Sequence, residues 1–221
     1  GSASGSAYCC DGGPATAATI GNVNGIAIDA SGNIYFTASA TPTPDFRVRK
    51  IDPTGIITTV AGGAAVGFSG DGGPASAATL SSPVGCAVDA AGNLYFADQG
   101  NNRIRMINVT TGNISTVAGT GTAGYNGNGI MATAANMTPN NPFIDAGGNI
   151  YFSDGPAVSG TRVRKIMPCI SGLPVVSPSS GPTSLCEGGT ATIVNTTPGG
   201  AWSASNPAVG TVDGAGVVTG I

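Results

Sequence analysis

Hydrophobic and polar positions alternate along this chain in short runs that return in the same order three times. Ile26 to Phe36 (IAIDASGNIYF), Cys86 to Phe96 (CAVDAAGNLYF) and Phe143 to Phe152 (FIDAGGNIYF) each hold two β-rich runs broken by a polar loop. Behind them come Arg47 to Ile51 (RVRKI), Arg103 to Ile107 (RIRMI) and Arg162 to Ile166 (RVRKI). Ile57 to Gly62 (ITTVAG) and Ile114 to Gly119 (ISTVAG) close the first two units, whereas no such run is evident after Ile166. Ahead of the units stand Asp11 to Ile20 (DGGPATAATI), Asp71 to Leu80 (DGGPASAATL) and, more loosely, Asn128 to Met137 (NGIMATAANM). Period-two runs of β-branched and aromatic residues between Gly, Asn, Asp and Pro predict four short strands per unit, a to d, in an antiparallel meander.

The loop between a and b carries Asp29, Asp89 and Asp145, each followed by a glycine and an asparagine. An aspartate can accept backbone N–H bonds across such a turn, and the glycine can take a positive φ. These aspartates read as turn formers rather than calcium ligands, because each loop offers one carboxylate where a calcium loop usually offers several oxygen ligands. Tyr35, Tyr95 and Tyr151 recur with the units and read as packing residues rather than a sugar-stacking platform.

Charge changes the picture by its placement. Only 9 % of residues are charged and the net charge is −3, which offers no basic footprint for nucleic acid. All eight cations lie in the c strands: Arg47, Arg49 and Lys50, then Arg103 and Arg105, then Arg162, Arg164 and Lys165. They form either a basic stripe for an anionic ligand or a set of internal pairs with carboxylates such as Asp98 and Asp154; guanidinium forks favour the second.

The chain has 37 Gly and 15 Pro, which argues against a mainly helical fold. It has no His, which removes His-based triads, imidazole zinc sites and histidine switches. Glu187 is the only Glu, and the aspartates recur by unit without clustering, so no paired-carboxylate site is visible. No enzyme activity, cofactor or metal is expected. No apolar run approaches the roughly 18 residues that span a bilayer, so membrane insertion is not expected. The chain does not open with a basic segment and an apolar stretch, and the expectation is that any leader has been removed.

The ordered blocks G-x-A-x-D-x-x-G-N-x-Y, R-h-R-K-h, h-T-T-V-A-G and G-D-G-G-P-A-T-A-A resemble bacterial NHL repeats over about residues 11 to 167. That resemblance implies β-propeller blades, four-stranded sheets around a central channel, and a binding or interaction scaffold. Some propellers of this type are lyases that need zinc and histidine, and no position here can inherit that activity. Closed propellers typically have four to eight blades, so three blades imply either part of a longer array, or blades shared between chains, six from two copies being the simplest arithmetic. An open, capped arc is the third solution.

Beyond a Pro/Ser/Gly stretch around Pro168 to Pro182, the phrases Trp202 to Asp213 (WSASNPAVGTVD) and Gly216 to Gly220 (GVVTG) resemble the bacterial Ig-like domains of secreted adhesins and surface proteins. An Ig-like sandwich takes about seven strands and roughly 100 residues, so the segment reads as a partial domain. It is either completed by strands of another chain or cut at a boundary.

Five cysteines, Cys9, Cys10, Cys86, Cys169 and Cys186, include no C-x-x-C pair. Cys86 takes the slot of Ile26 and reads as a small buried apolar residue. A bridge from Cys169 to Cys9 or Cys10 would tie the two ends of the blade arc, with Cys186 taking the remaining partner or a strand elsewhere. An adjacent Cys9–Cys10 bridge and free thiols are the alternatives. The bridged arrangements suit an oxidising compartment. Asn108, Asn113, Asn136 and Asn195 stand in N-x-S/T sequons in or beside predicted turns.

The fold expected is all-β: an N-terminal segment and first insertion over 1–20, three NHL-like blades over 21–168, a linker or edge strand over 169–183, and a partial Ig-like β-sandwich over 184–221. The role expected is that of a secreted bacterial extracellular or cell-surface structural and adhesive protein. It would associate with other copies of itself into a homo-oligomer or fibre, with glycans as covalent or bound partners. The competing role is a binding module with a glycan or peptide on the propeller face.

Overall fold

A computed structural model describes residues 9–40, 45–155, 161–167, 190–192, 210–212 and 217–220. The chain divides into two compact units, Gly1–Met167 and Pro168–Ile221. In the first unit, β1 (Asn22–Ile28), β2 (Ile34–Ala40), β3 (Asp45–Ile51) and β4 (Ile57–Gly63) form one antiparallel meander, and β5 (Pro83–Val88), β6 (Leu94–Asp98), β7 (Arg103–Ile107) and β8 (Ile114–Ala118) form the next. The third sheet has three strands among the described residues, β9 (Pro139–Ile144), β10 (Ile150–Asp154) and β11 (Arg162–Ile166). No strand stands at the d position after Ile166 among the described residues.

Each a strand carries a bulge, between Val23 and Gly25 in β1 and between Val84 and Cys86 in β5. Bulges increase local twist, and here they bring successive a strands backbone to backbone. A Cβ on Gly25 would collide with the Gly85 backbone, and one on Gly85 with that of Asn141. The D-G-G-P insertions lie along the d strands. Gly12 N–H donates to Ile57 O (2.8 Å) and Ile57 N–H to Gly13 O (3.0 Å), and Gly72 and Gly73 repeat this with Ile114. The open edge of each of these two d strands is thereby paired at its first residue.

The core lies mainly between blades. Val48, Ala61 and Tyr35 of the first blade pack on Leu94, Phe96, Cys86 and the insertion residues Ala75, Ala78 and Leu80. Ala97, Ile104 and Ala118 of the second pack on Phe152, Met137 and Ala135. The insertions act as apolar wedges, and their Ala-rich turns form short 3-10 segments at Ala75–Ala77 and Ala132–Ala134.

In the second unit, β12 (Thr190–Thr192), β13 (Gly210–Val212) and β14 (Val217–Gly220) make an antiparallel sheet in the order β12-β14-β13. Trp202 and most of the segment expected to be Ig-like lie outside the described residues. No helix among the described residues is long and apolar enough to cross a membrane.

Candidate functional site

The three a–b hairpins are closed by the same set of atoms. Asp29 Oδ1 accepts from the N–H groups of Ser31 and Asn33 (both 2.9 Å), while Oδ2 accepts from Asn33 Nδ2 (2.7 Å) and the Tyr35 hydroxyl (3.2 Å). Asp89 does this with Ala91, Asn93 and Tyr95, and Asp145 with Gly147, Asn149 and Tyr151. Gly32, Gly92 and Gly148 turn the chain at positive φ. Both carboxylate oxygens are therefore engaged within each turn. Burial raises the pKa of Asp29, but the Asn33, Ser31 and Tyr35 donors outweigh it and hold the carboxyl below its ordinary value. The Asn149 amide leads the same downward shift at Asp145. Burial, and then Asp89, pushes the Tyr95 hydroxyl up to about 12. The tyrosines thus brace the turns as well as pack. The D-x-x-x-N-x-Y spacing carried that signal, since residues four and six beyond the Asp return to it across the hairpin.

Arg49, Arg105 and Arg164 occupy one repeat position and point into the seam between blade and insertion. Arg105 is fully buried and donates from Nη1 to Asp98 Oδ2 (3.1 Å) and from Nη2 to Asp71 Oδ1 (2.9 Å) and Ser69 O (2.9 Å). Arg164 donates to Asp154 Oδ2 (3.1 Å), Asn136 O (2.9 Å) and Gly127 O (3.0 Å). Arg49 Nη2 meets Asp11 Oδ1 at 2.6 Å. Burial pushes the Asp98 carboxyl up, against the pull of Asn101, the Ser81 N–H and Arg105. Strand register sets Asp98 and Asp154 directly opposite Arg103 and Arg162, and each reaches the inner arginine, Arg105 or Arg164, as a diagonal neighbour on the same face. The insertion carboxylates Asp11 and Asp71 were not foreseen as partners, although their recurrence beside a recurring Arg was a usable signal.

The other arginine of each c strand lies nearer the surface. Arg103 donates to Asn101 O (3.0 Å) and Thr120 O (2.8 Å), and its guanidinium lies 3.7 Å from the Phe68 ring centroid, with Arg105 at 4.8 Å. Arg162 and Arg164 hold Tyr125 in the same way, at 4.3 and 5.3 Å. Arg47 donates to Thr59 Oγ1 at 3.3 Å. These contacts make the c-strand arginines a brace that fastens each insertion to its blade.

Cys9 and Cys10 are joined to each other by a disulfide, and Cys86 is a buried free thiol whose pKa burial pushes up to about 12. A bridge from Cys9 or Cys10 to Cys169 is therefore not the pairing seen, because the two adjacent sulfurs take each other. Cys10 has φ +70°, the place of Gly70 (+93°) and Gly127 (+124°) in the later insertions. Cys169, Cys186 and Asn195 lie outside the described residues. Asn108, Asn113 and Asn136 are half-buried in loops: Asn108 caps a turn through Thr110 and Thr111, Asn113 donates to Gly72 O, and Asn136 accepts from Thr120.

The remaining surface feature is apolar. Val48 and Ile104 are fully buried between blades, yet their counterpart Val163 is 79 % exposed. Cys86 is 8 % exposed, yet its counterpart Ile26 is 63 % exposed. Phe143 on β9, Met167 just beyond β11, and Ile28 are exposed as well. No group of three or more His, Cys, Asp or Glu able to hold a metal occurs among the described residues.

Repeated four-stranded meanders, inner strands abutting at bulges, and insertions wedged between sheets define NHL-type β-propeller blades. The chain belongs to the teneurin NHL domain family, which matches residues 3–69 and again 66–126. Its fold is similar to that of a protein of unknown function from Bacteroides thetaiotaomicron (20 % identity, 60 % of this chain and 44 % of that one, TM-score 0.45). It is also similar to an auxiliary nutrient binding protein from the same organism (22 %, 57 % and 33 %, 0.44) and to virginiamycin B lyase from Staphylococcus aureus (14 %, 66 % and 41 %, 0.37). The chain spans less than half the length of each of these structures. Among curated proteins the sequence finds no match.

Proposed function

We propose that this protein is an extracellular structural and adhesive repeat protein that works by associating with other copies of itself, and that it is not an enzyme. One observation carries this reading: apolar positions buried inside the blade array, at Val48, Ile104 and Cys86, are exposed on its outer faces at Val163 and Ile26. Clustered exposed apolar side chains mark interaction surfaces. The Cys9–Cys10 disulfide supports an oxidising compartment, and the low charge and bonded arginines support a scaffold rather than a receptor for anions. The loop positions of Asn108, Asn113 and Asn136 suit covalent glycans.

The test is the molar mass of the native chain by light scattering. Particles well above the 21.3 kDa of one chain are the expected result. A monomer at all concentrations sinks the reading and moves attention to a ligand in the cleft lined by Tyr35, Lys50, Leu94 and Asn108.

A further inference from the structure

The first insertion carries a group that the other two lack. At one closing position the second insertion has Ser69, whose hydroxyl accepts from the Thr79 N–H (3.0 Å) and the Thr79 hydroxyl (2.9 Å), and the third has Asn126, which accepts from the Asn136 N–H (2.8 Å). The first insertion has Cys9 there, with Thr19 Oγ1 3.6 Å from its Sγ, and that sulfur is bonded to Cys10. The turn itself does not need the bridge. Gly13 N–H donates to Cys10 O (3.1 Å) as Gly73 N–H donates to Gly70 O (2.9 Å), where no cysteine stands. A bond between neighbours closes almost no loop and so constrains the chain little.

Cys9 and Cys10 are both exposed. This exposure belongs to the position in the insertion, because Ser69 and Asn126 are exposed too and have described chain on both sides. The other cysteine among the described residues, Cys86, is a buried free thiol in the joint between blades. Among the described residues, then, one disulfide faces solvent and one thiol is kept from it.

We propose that Cys9–Cys10 is a thiol-exchange site, which opens and recloses on a folded blade and takes a low-mass thiol as a mixed disulfide on Cys10. An incoming thiolate attacks the Cys10 sulfur. The Cys9–Cys10 bond breaks, its electron pair leaves on the Cys9 sulfur, and a new S–S bond joins Cys10 to the added thiol. One disulfide replaces another, with no net oxidation. The Thr19 hydroxyl is placed to donate to the Cys9 thiolate, which makes Cys9 the leaving group and Cys10 the sulfur attacked. In the reverse step the Cys9 thiolate, one residue away, attacks the Cys10 sulfur, expels the added thiol and restores the ring. The insertion keeps its backbone bonds to Ile57 and across the turn in both steps. The site does not depend on association between copies.

The test treats the whole folded chain with reduced glutathione, caps free thiols with N-ethylmaleimide and locates the adducts by peptide mapping. Adducts on Cys9 and Cys10 with Cys86 unlabelled are the expected result, Cys86 serving as the internal reporter of unfolding. Thr19→Val, which keeps the shape and removes the hydroxyl, should slow opening about threefold. Cys9→Ser, loaded from oxidised glutathione, has no thiol to expel the adduct. It should keep glutathione on Cys10 after free glutathione is removed, whereas the wild type returns to the closed ring. A bridge that stays closed overturns the proposal, as does one that opens only in step with Cys86 labelling, since opening would then require the blade to unfold. Glutathione mapped to Cys9 rather than Cys10, or a Thr19→Val variant that opens as fast as wild type, overturns the assignment of the leaving sulfur.

Discussion

In the second blade the guanidinium of Arg105 is gripped by two carboxylates, Asp98 from its own sheet and Asp71 from the insertion. The third blade keeps the sheet carboxylate, Asp154, and has Asn128 in place of the insertion one; the first keeps the insertion carboxylate, Asp11, and has Ala38 in place of the sheet one. The two sources are not equivalent. Asp98 and Asp154 are buried, and the arginine is the cation that offsets their charge beside the Ser81, Asn101 and Thr138 donors, whereas Asp11 and Asp71 keep more than a third of their side chains in water. A sheet carboxylate thus makes the blade depend on its arginine. An insertion carboxylate instead makes the docking of the wedge depend on it.

The most damaging way to probe this difference is Arg105→Met, which leaves Asp98 buried without its cation. Losing one partner of a buried pair costs about 3–5 kcal/mol, and urea unfolding of the variant should show a loss of that size. Next, Asp98→Ala should cost about 3 kcal/mol and Asp71→Ala no more than about 1 kcal/mol, because the second pair is partly solvated. If the insertion variant proved the more damaging, the distinction drawn between the two sources would be wrong.

Acid sharpens the comparison by separating the carboxylates by sign. Asp29 and Asp145 have folded-state values below the ordinary 3.8. Their stabilisation is complete above 3.8 and is lost as pH falls through the lower folded value. Asp98 has a raised folded value, so it contributes the opposite slope, losing stability as pH rises from 3.8 through that value. Asp145→Asn should therefore flatten the fall in unfolding free energy on acidification below 3.8, while Asp98→Asn should steepen the rise just above it. Both slopes are measurable by denaturant titration at a series of pH values.

Asn128→Asp would give the third blade the carboxylate pair of the second and should stabilise it by up to about 1 kcal/mol, a gain that salt should screen. The smallest effect is expected at the disulfide. A bridge between neighbours closes almost no loop, and the Ser-Gly pair of the second insertion meets the same positive φ without a Cβ. The double variant Cys9→Ser, Cys10→Gly should unfold within about 0.5 kcal/mol of wild type and should not respond to reductant; a larger loss would show that the bridge holds the first insertion in place.

The sequence by itself determined the blades. Period-two alternation places residues on opposite faces of a strand, and the recurring Asp-x-x-Gly-Asn loops close hairpins through bonds made within five residues, so both were legible without a partner in view. The inward arginines were legible as a repeated position. Tertiary structure alone decided which carboxylate each arginine meets, because Asp11 and Asp71 lie 38 and 34 residues before their partners and reach them only when the insertion folds onto the blade. It also decided that Cys9 takes Cys10. The same holds for Val48, Ile104 and Val163, aliphatic residues at one repeat position with opposite exposures. Local pattern sets the direction in which a side chain points, and only the neighbouring blade determines whether water is there to meet it.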